Sequence, residues 1–417
     1  RGQREERSAS SRGAARGGRR APGGGEGGRR EEDARRRGGG GSRSRSARVS
    51  DESESSESGS DDDEIVHFSW KEGMVLNHRY QLTALLGDGT FGRVVLARDR
   101  HDGGREVAVK IIRDVKRYME NAKIEADILA DIRKADPAGK SGCSIMYETF
   151  VHEQRFFCLV LEPLGTSLYD FLKANNFKGF WMQDIQSIAE QAMQALAFLH
   201  GQLEMTHTDL KPENILFETT KQPIPSRFPR AGPDGSSGYV RPASNKIKLI
   251  DFGNATYAHE HHSSIINTRQ YRGPEVLLGL GWDEVSDLWS IGCILMELYA
   301  GRQLFETHAE IEHMALIQRI IAPLPDSMLE RASDEVRKRY LAKDSRTGRW
   351  RLPWPERSSS PSSERHVCSQ LRLRDQTPPE HSALTDFCET LLMLDPGKRP
   401  HAVNTLRHPF FKQQYRD

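Results

Sequence analysis

Asp209 and Asn214 stand five residues apart in the stretch HTDLKPEN. In a short loop that spacing lets a carboxylate face an incoming hydroxyl while an amide oxygen reaches a divalent metal. Lys211 can place its charge near a phosphate in transfer. Asp251 heads Asp251-Phe252-Gly253 after the β-like run IKLI, and can supply a carboxylate to Mg2+. Upstream, the glycine run Gly87-Asp88-Gly89-Thr90-Phe91-Gly92 precedes the apolar segment VAVK, which ends at Lys110. Glycines let the backbone approach phosphates closely, and the N–H groups of such a turn can bond their oxygens. Phe91, at the tip, can shield them from water. The chemistry these types and spacings fit is phosphoryl transfer from a nucleotide. A lone glycine motif is weak support, whereas the ordered set is specific.

Several elements must position these groups. Tyr80–Leu86 and Arg93–Arg98 read as strands on either side of the glycine turn. Leu86, Val94 and Ala108 are apolar residues that can sandwich an adenine, although each taken singly reads as strand core. Val107–Ile112 is a strand with a lysine inside it, which is costly to bury unless paired. The partner expected for Lys110 is Glu125, in a helical stretch Met119–Ile132 whose apolar face is marked by Ile124, Ile128 and Leu129; Glu120 and Asp127 are rivals. Phe156–Leu161 is a buried strand that Glu162-Pro163-Leu164-Gly165 breaks. Helical periodicity then covers Leu168–Ala174 and Met182–His200. The stretch between Leu216 and Lys246 is rich in Pro, Gly and Ser and reads as a surface excursion, either a hairpin or a loose loop.

In order and separation these parts resemble a eukaryotic protein kinase. The resemblance implies an α+β, two-lobed fold with a small β-rich lobe over about 75–163, a helical lobe over about 164–417 and an insertion over about 218–246, all within a domain spanning 65–417. It implies ATP and Mg2+ as cofactors. Gly87, Gly89, Phe91 and Gly92 would cover the phosphates, and Lys110, fixed by Glu125, would contact them. Leu161 would line the back of the adenine pocket, and the backbone of Glu162 and Leu164 would bond the adenine. Ser167 and Asp170 would lie near the ribose, and Leu216 also belongs to the nucleotide site. Asn214 and Asp251 would hold Mg2+, Asp209 would act on the hydroxyl, and Lys211 would balance charge. Asn254–Tyr271 would be the activation segment. Its His259, His261 and His262 lack the frame of a zinc site and read as a solvated loop. Gly273-Pro274-Glu275 replaces the usual Ala-Pro-Glu, a small-for-small change expected to matter little. Glu275 should pair with Arg399, and Asp287 should hold the catalytic-loop backbone.

The departures narrow the resemblance. Thr208 stands where many kinases carry an arginine that reads a phosphate on the activation segment. A neutral side chain cannot do so, and activity independent of such a phosphate is expected. The runs HTDLKPEN, Asn267–Val276 and Glu312–Pro325 (EHMALIQRIIAPLP) resemble the LAMMER (CDC-like) kinases, whose motif EHLAMMER is matched by Glu312, His313, Ala315 and Arg319. Arg351-Leu352-Pro353-Trp354 resembles a later family segment. The helix carrying the motif reads as structural. The resemblance implies dual-specificity kinase activity on Arg-Ser-rich splicing factors in the nucleus, possible also in the cytoplasm. Glu213 could attract an arginine near the target serine, or be a solvated loop acid. A dual-specificity tyrosine-regulated kinase is the nearest enzymatic alternative. A pseudokinase or RNA-associated scaffold is the alternative from another class.

Composition agrees with one such domain behind a tail. The 417 residues carry a formal charge of +1 that hides strong asymmetry. Residues 1–50 are dominated by Arg, Gly and Ser, and 51–64 are acidic and serine-rich, so residues 1–64 are expected to be disordered. The run SRSRSAR at 42–48 suits autophosphorylation, association with Arg-Ser segments or weak RNA contact, or is simply a solvated tail. The five cysteines form no CxxC pair, which fits free thiols. No apolar run spans a bilayer and no secretory signal is visible, so no membrane partner is expected; nor is a stable oligomer.

Overall fold

A computed structural model describes residues 68–230 and 238–416. The readings of the Arg-Ser run and of the acidic block therefore lie outside the described residues. So do 65–67 and the insertion's 231–237.

Six strands form one antiparallel sheet: β1 (Val75–Leu76), β2 (Tyr80–Asp88), β3 (Gly92–Asp99), β4 (Arg105–Ile112), β5 (Met146–His152) and β6 (Phe156–Leu161), in the order β1-β2-β3-β4-β6-β5. Side chains alternate across a strand, so β4 and β6 each serve two cores. Val107, Val109, Ile111, Phe156, Cys158 and Val160 pack on one face with Leu76, Tyr80, Leu82 and Val95. Ile112, Phe157 and Leu159 point the other way and join a larger core continuous with the helical lobe.

Helix α1 (Lys116–Ala135) starts a turn earlier than its apolar periodicity suggested. Its buried face is Ala122, Glu125, Ala126, Ile128, Leu129 and Ile132. Ile124 is a correction: it is 53% exposed, because one residue's step of about 100° turns it away from the face that carries Glu125.

In the large lobe, α2 (Leu168–Ala174) begins at an N-cap, Ser167, whose Oγ accepts from the Asp170 N–H at 3.0 Å. Then come α3 (Met182–Gln202), the short strands β7 (Met205–Thr206) and β8 (Ile215–Phe217), and the insertion. The insertion is a ribbon of β9 (Ile224–Pro225) on β10 (Val240–Arg241), rising from the pairing of β8 with β11 (Ile247–Leu249). Asp184 of α3 anchors it, accepting from Arg241 (3.0 and 2.5 Å) and from Asn245 (2.8 Å). Asn175 brackets the Val240 backbone at 2.9 and 3.0 Å.

Strand β12 (Thr256–Tyr257) pairs with β7, and α4 (Pro274–Leu277) follows the activation segment. Helix α5 (Ser286–Ala300) is buried on every side from Ser286 to Tyr299, as its continuous apolar run requires, and ends at Gly301 with φ +70°. After it come α6 (Glu310–Ile320), α7 (Asp326–Arg331), α8 (Asp334–Tyr340), α9 (Pro361–Ser369), α10 (Ser382–Leu391), which packs on α5, and α11 (Ala402–Thr405). Cys143, Cys158, Cys293 and Cys388 are buried free thiols, and Cys368 on α9 is exposed. Among the described residues no helix is long and apolar enough to cross a membrane.

Candidate active site

A cleft of about 950 Å³ opens between the sheet and the helical lobe. Leu86, Gly87, Gly89, Phe91, Gly92, Val94 and Ala108 line it from the sheet, with Leu161, Glu162 and Leu164 along the connection between lobes. Ser167, Asp170, Leu216 and Asp251 line it from below, and Lys110, Glu125 and Asn214 complete it. Sequence reasoning missed a further stretch of wall: Thr219, Lys221 and Pro223 before the ribbon, and Pro242 and Ala243 after it. Their loop composition carried no signal that the insertion's feet would return to the cleft.

At the inner end, Lys110 Nζ donates to both Glu125 oxygens at 2.8 and 2.7 Å and lies 3.6 Å from Asp251 Oδ1. Burial alone would push this ammonium down, but the Glu125 and Asp251 carboxylates outweigh it and hold Lys110 above its ordinary value. The rivals Glu120 and Asp127 face solvent.

The loop below is held from α5. Asp287, fully buried, accepts from the His207 N–H at 2.8 Å and the Thr208 N–H at 3.0 Å. These bonds maintain Thr208 at φ +67°, a backbone region that β-branched residues rarely adopt. The Thr208 hydroxyl donates to the Asn254 carbonyl at 2.7 Å, so it ties the activation segment down directly.

Asp209 is held at both of its carboxylate oxygens. Its Oδ1 accepts from Thr268 Oγ1 at 2.8 Å and from the Thr268 N–H at 3.2 Å, and its Oδ2 from Lys211 Nζ at 2.9 Å. Thr268 was not foreseen: it lies 59 positions away, and the sequence singled out only the run Asn267–Val276 that contains it. Asn214 Nδ2 donates to the Asp209 carbonyl at 2.8 Å, so the amide oxygen is the atom left to face a cation. With the Asp251 carboxylate it makes a pair of hard oxygen donors, which fits Mg2+.

At the connection between lobes, the Glu162 N–H donates to the Ile145 carbonyl at 2.9 Å and the Gly165 N–H to the Phe217 carbonyl at 2.8 Å. A ligand can therefore take from Glu162 its carbonyl. Ser167 Oγ donates to Asp170 Oδ2 at 2.8 Å.

The activation segment closes on a buried pair, in which Arg399 donates to both oxygens of Glu275 at 2.6 Å. A Cβ on Gly273 would sit 2.7 Å from those same oxygens, so glycine there is not interchangeable with alanine as expected. His262 stacks on Trp282 at 4.1 Å. Behind the segment, Tyr271 donates to Glu297 Oε2 at 2.7 Å. Burial, with the Glu213 carboxylate adding to it, raises the Glu297 carboxyl to about 7. Glu213 and Glu297 thus interact through their charges, and Glu213 also interacts with Asp209. In α6, Glu312 accepts from Thr307 Oγ1 at 2.7 Å and from the Ser363 hydroxyl, and His313 is fully buried against Phe305. These contacts make the motif helix structural.

Residues 80–411 match the family model described as the protein kinase domain. The chain is 39% identical over 352 residues to human dual specificity protein kinase CLK2, covering 84% of this chain and 67% of that protein. It is 41% identical over 353 residues to mouse dual specificity protein kinase CLK1, covering 84% and 70%. It is 40% identical over 357 residues to the serine/threonine-protein kinase AFC1 of Arabidopsis thaliana, covering 84% and 74%. A solved kinase-domain crystal structure superposes with a TM-score of 0.77 at 43% identity, covering 84% of this chain and all of that one.

Proposed function

Since this chain belongs to the protein kinase family, as one of its LAMMER (CDC-like) members, we propose that it transfers the γ-phosphoryl group of Mg-ATP to serine, threonine and, in autophosphorylation, tyrosine. The observation that carries this reading is the joining of two constrained centres: Lys110 between Glu125 and Asp251 in the cleft, and Asp209, held by Lys211 and Thr268 and bonded by the cleft residue Asn214. Asp209 orients the incoming hydroxyl and accepts its proton as the new oxygen–phosphorus bond forms and the bond from the γ-phosphorus to the departing ADP breaks. Lys110 steadies the remaining phosphates, and Lys211 balances charge on the group in transfer. Asn214 and Asp251 hold Mg2+, which when bound offsets phosphate charge. The rest of the catalysis is positioning and electrostatics.

The same reading assigns Arg-Ser-rich splicing factors as substrates and the nucleus as the place of action. Its support is Glu213, an exposed carboxylate two residues past Lys211 whose charge meets those of Asp209 and of Glu297 buried behind it, so that a guanidinium there would relieve their repulsion. An Arg-Ser repeat peptide and a matched peptide with every arginine replaced by alanine test both halves. Wild type should phosphorylate the first far better, and Asp209→Asn should lose transfer while still binding ATP. Equal transfer to both peptides would remove the substrate class. Substantial turnover by Asp209→Asn would remove the mechanism.

A further inference from the structure

Lys248 lies in β11, three residues before Asp251, and is 5% exposed. A buried ammonium is costly unless each of its three donors faces an acceptor. Here the acceptors are two carbonyls and one carboxylate: Cys143 O at 3.1 Å, Gly139 O at 3.2 Å and Glu162 Oε1 at 3.3 Å. That last oxygen also accepts from the Ile145 N–H at 2.9 Å, and the Glu162 N–H donates back to the Ile145 carbonyl at 2.9 Å. The loop between these contacts is itself sewn to β11, since the Leu249 N–H donates to Gly142 O at 2.8 Å and the Ser144 N–H to Leu249 O at 2.9 Å.

We propose that Lys248 is a positioning residue for adenine recognition: by clamping the Glu162 side chain behind the connection between lobes, it fixes the Glu162 carbonyl that accepts from the 6-amino group of the nucleotide. The proposal rests on the kinase reading above and adds to it a residue that does not line the cleft. The Glu162 side chain is 13% exposed, and its carboxylate has Lys248 as its cationic partner at 3.3 Å. With that charge removed, the buried carboxylate must rotate toward solvent or take up a proton. Either change loosens the one residue whose N–H is fixed on Ile145 and whose carbonyl faces the ligand.

The experiment compares ATP with purine riboside triphosphate, which is ATP without its 6-amino group. Lys248→Met should raise KM for ATP by roughly fivefold, the worth of one well-placed neutral hydrogen bond. It should leave kcat, and KM for purine riboside triphosphate, nearly unchanged. Lys248→Gln, which keeps a donor for the Cys143 and Gly139 carbonyls but loses the charge, should show the same ATP-selective rise, and it serves if Lys248→Met folds poorly. Equal losses for both nucleotides, or no loss for either, overturn the proposal in favour of a purely structural lysine. A wild-type enzyme that treats the two nucleotides alike instead removes the assignment of Glu162 to the 6-amino group. A wild type that transfers from neither removes the kinase reading beneath it.

Discussion

Glu297 is where a single residue's chemistry has the plainest outcome. Its carboxyl titrates at about 7, so it is charged above neutrality and neutral below. A neutral carboxyl has no net charge with which to attract a guanidinium. Acidification from about pH 8 to about pH 6 cuts the charged fraction roughly tenfold, by ordinary titration about one value. KM for an Arg-Ser peptide should therefore climb toward tenfold over that interval, while KM for its arginine-free counterpart stays level. In Glu297→Gln both profiles should be flat. Steady-state assays across pH read this, and an unchanged pH profile in the variant would count against Glu297. Asp209, Lys110 and Asp251 could be singled out from sequence because few residue types suit the work expected of them, and their ion pairs with Lys211 and with each other follow from their charges. Thr268, Glu297 and Lys248 could not. Their partners lie far off in sequence, and a threonine, a glutamate in an apolar helix or a lysine in the three-residue β11, none of them in a position that a motif picks out, signals nothing until the chain is folded.

At the scale of elements, the activation segment is held by ordinary contacts. Thr208 bonds Asn254, Tyr257 donates to Asp131 at 2.8 Å, His262 stacks on Trp282, Thr268 bonds Asp209, and Arg399 clasps Glu275. None of these requires a phosphate, and the position that would read one is a threonine. Phosphatase-treated protein should hence keep its activity to within about twofold, since no phosphate-dependent pairing is lost at this position. Near-complete loss, restored by one phosphate on the segment, would sink the idea; peptide assays with mass spectrometry of the treated protein decide it. Strands and helices with regular alternation or a 3.6-residue period were readable to within a turn. The insertion was not, because what orders it is Asp184, Asn175 and Arg241, a set of polar side chains gripping backbone and one another without periodicity. The interchange of Gly273 with alanine looked harmless for a similar reason: the Glu275 carboxylate that crowds it takes its place only when Arg399 arrives from 124 positions away.

Across the whole molecule, the two-lobed plan was legible from the order of motifs, but the way its cores interlock was not. β4 and β6 send alternate residues to opposite sides, so the outer core of the small lobe cannot be stripped without breaking strands that also floor the larger core. The lobes should then lose structure together. The cysteines make this observable. Cys158 sits in the outer core; Cys143, Cys293 and Cys388 sit in the larger one; Cys368 faces solvent on α9. In a denaturant titration followed by a colorimetric thiol reagent, one equivalent should react at once. The other four should appear in a single sigmoid, whereas an early second equivalent would mean that the small lobe's outer core melts first. The chain thereby carries its own four-thiol gauge of folding, with a fifth thiol, Cys368, already placed for a fluorophore and no engineered label needed.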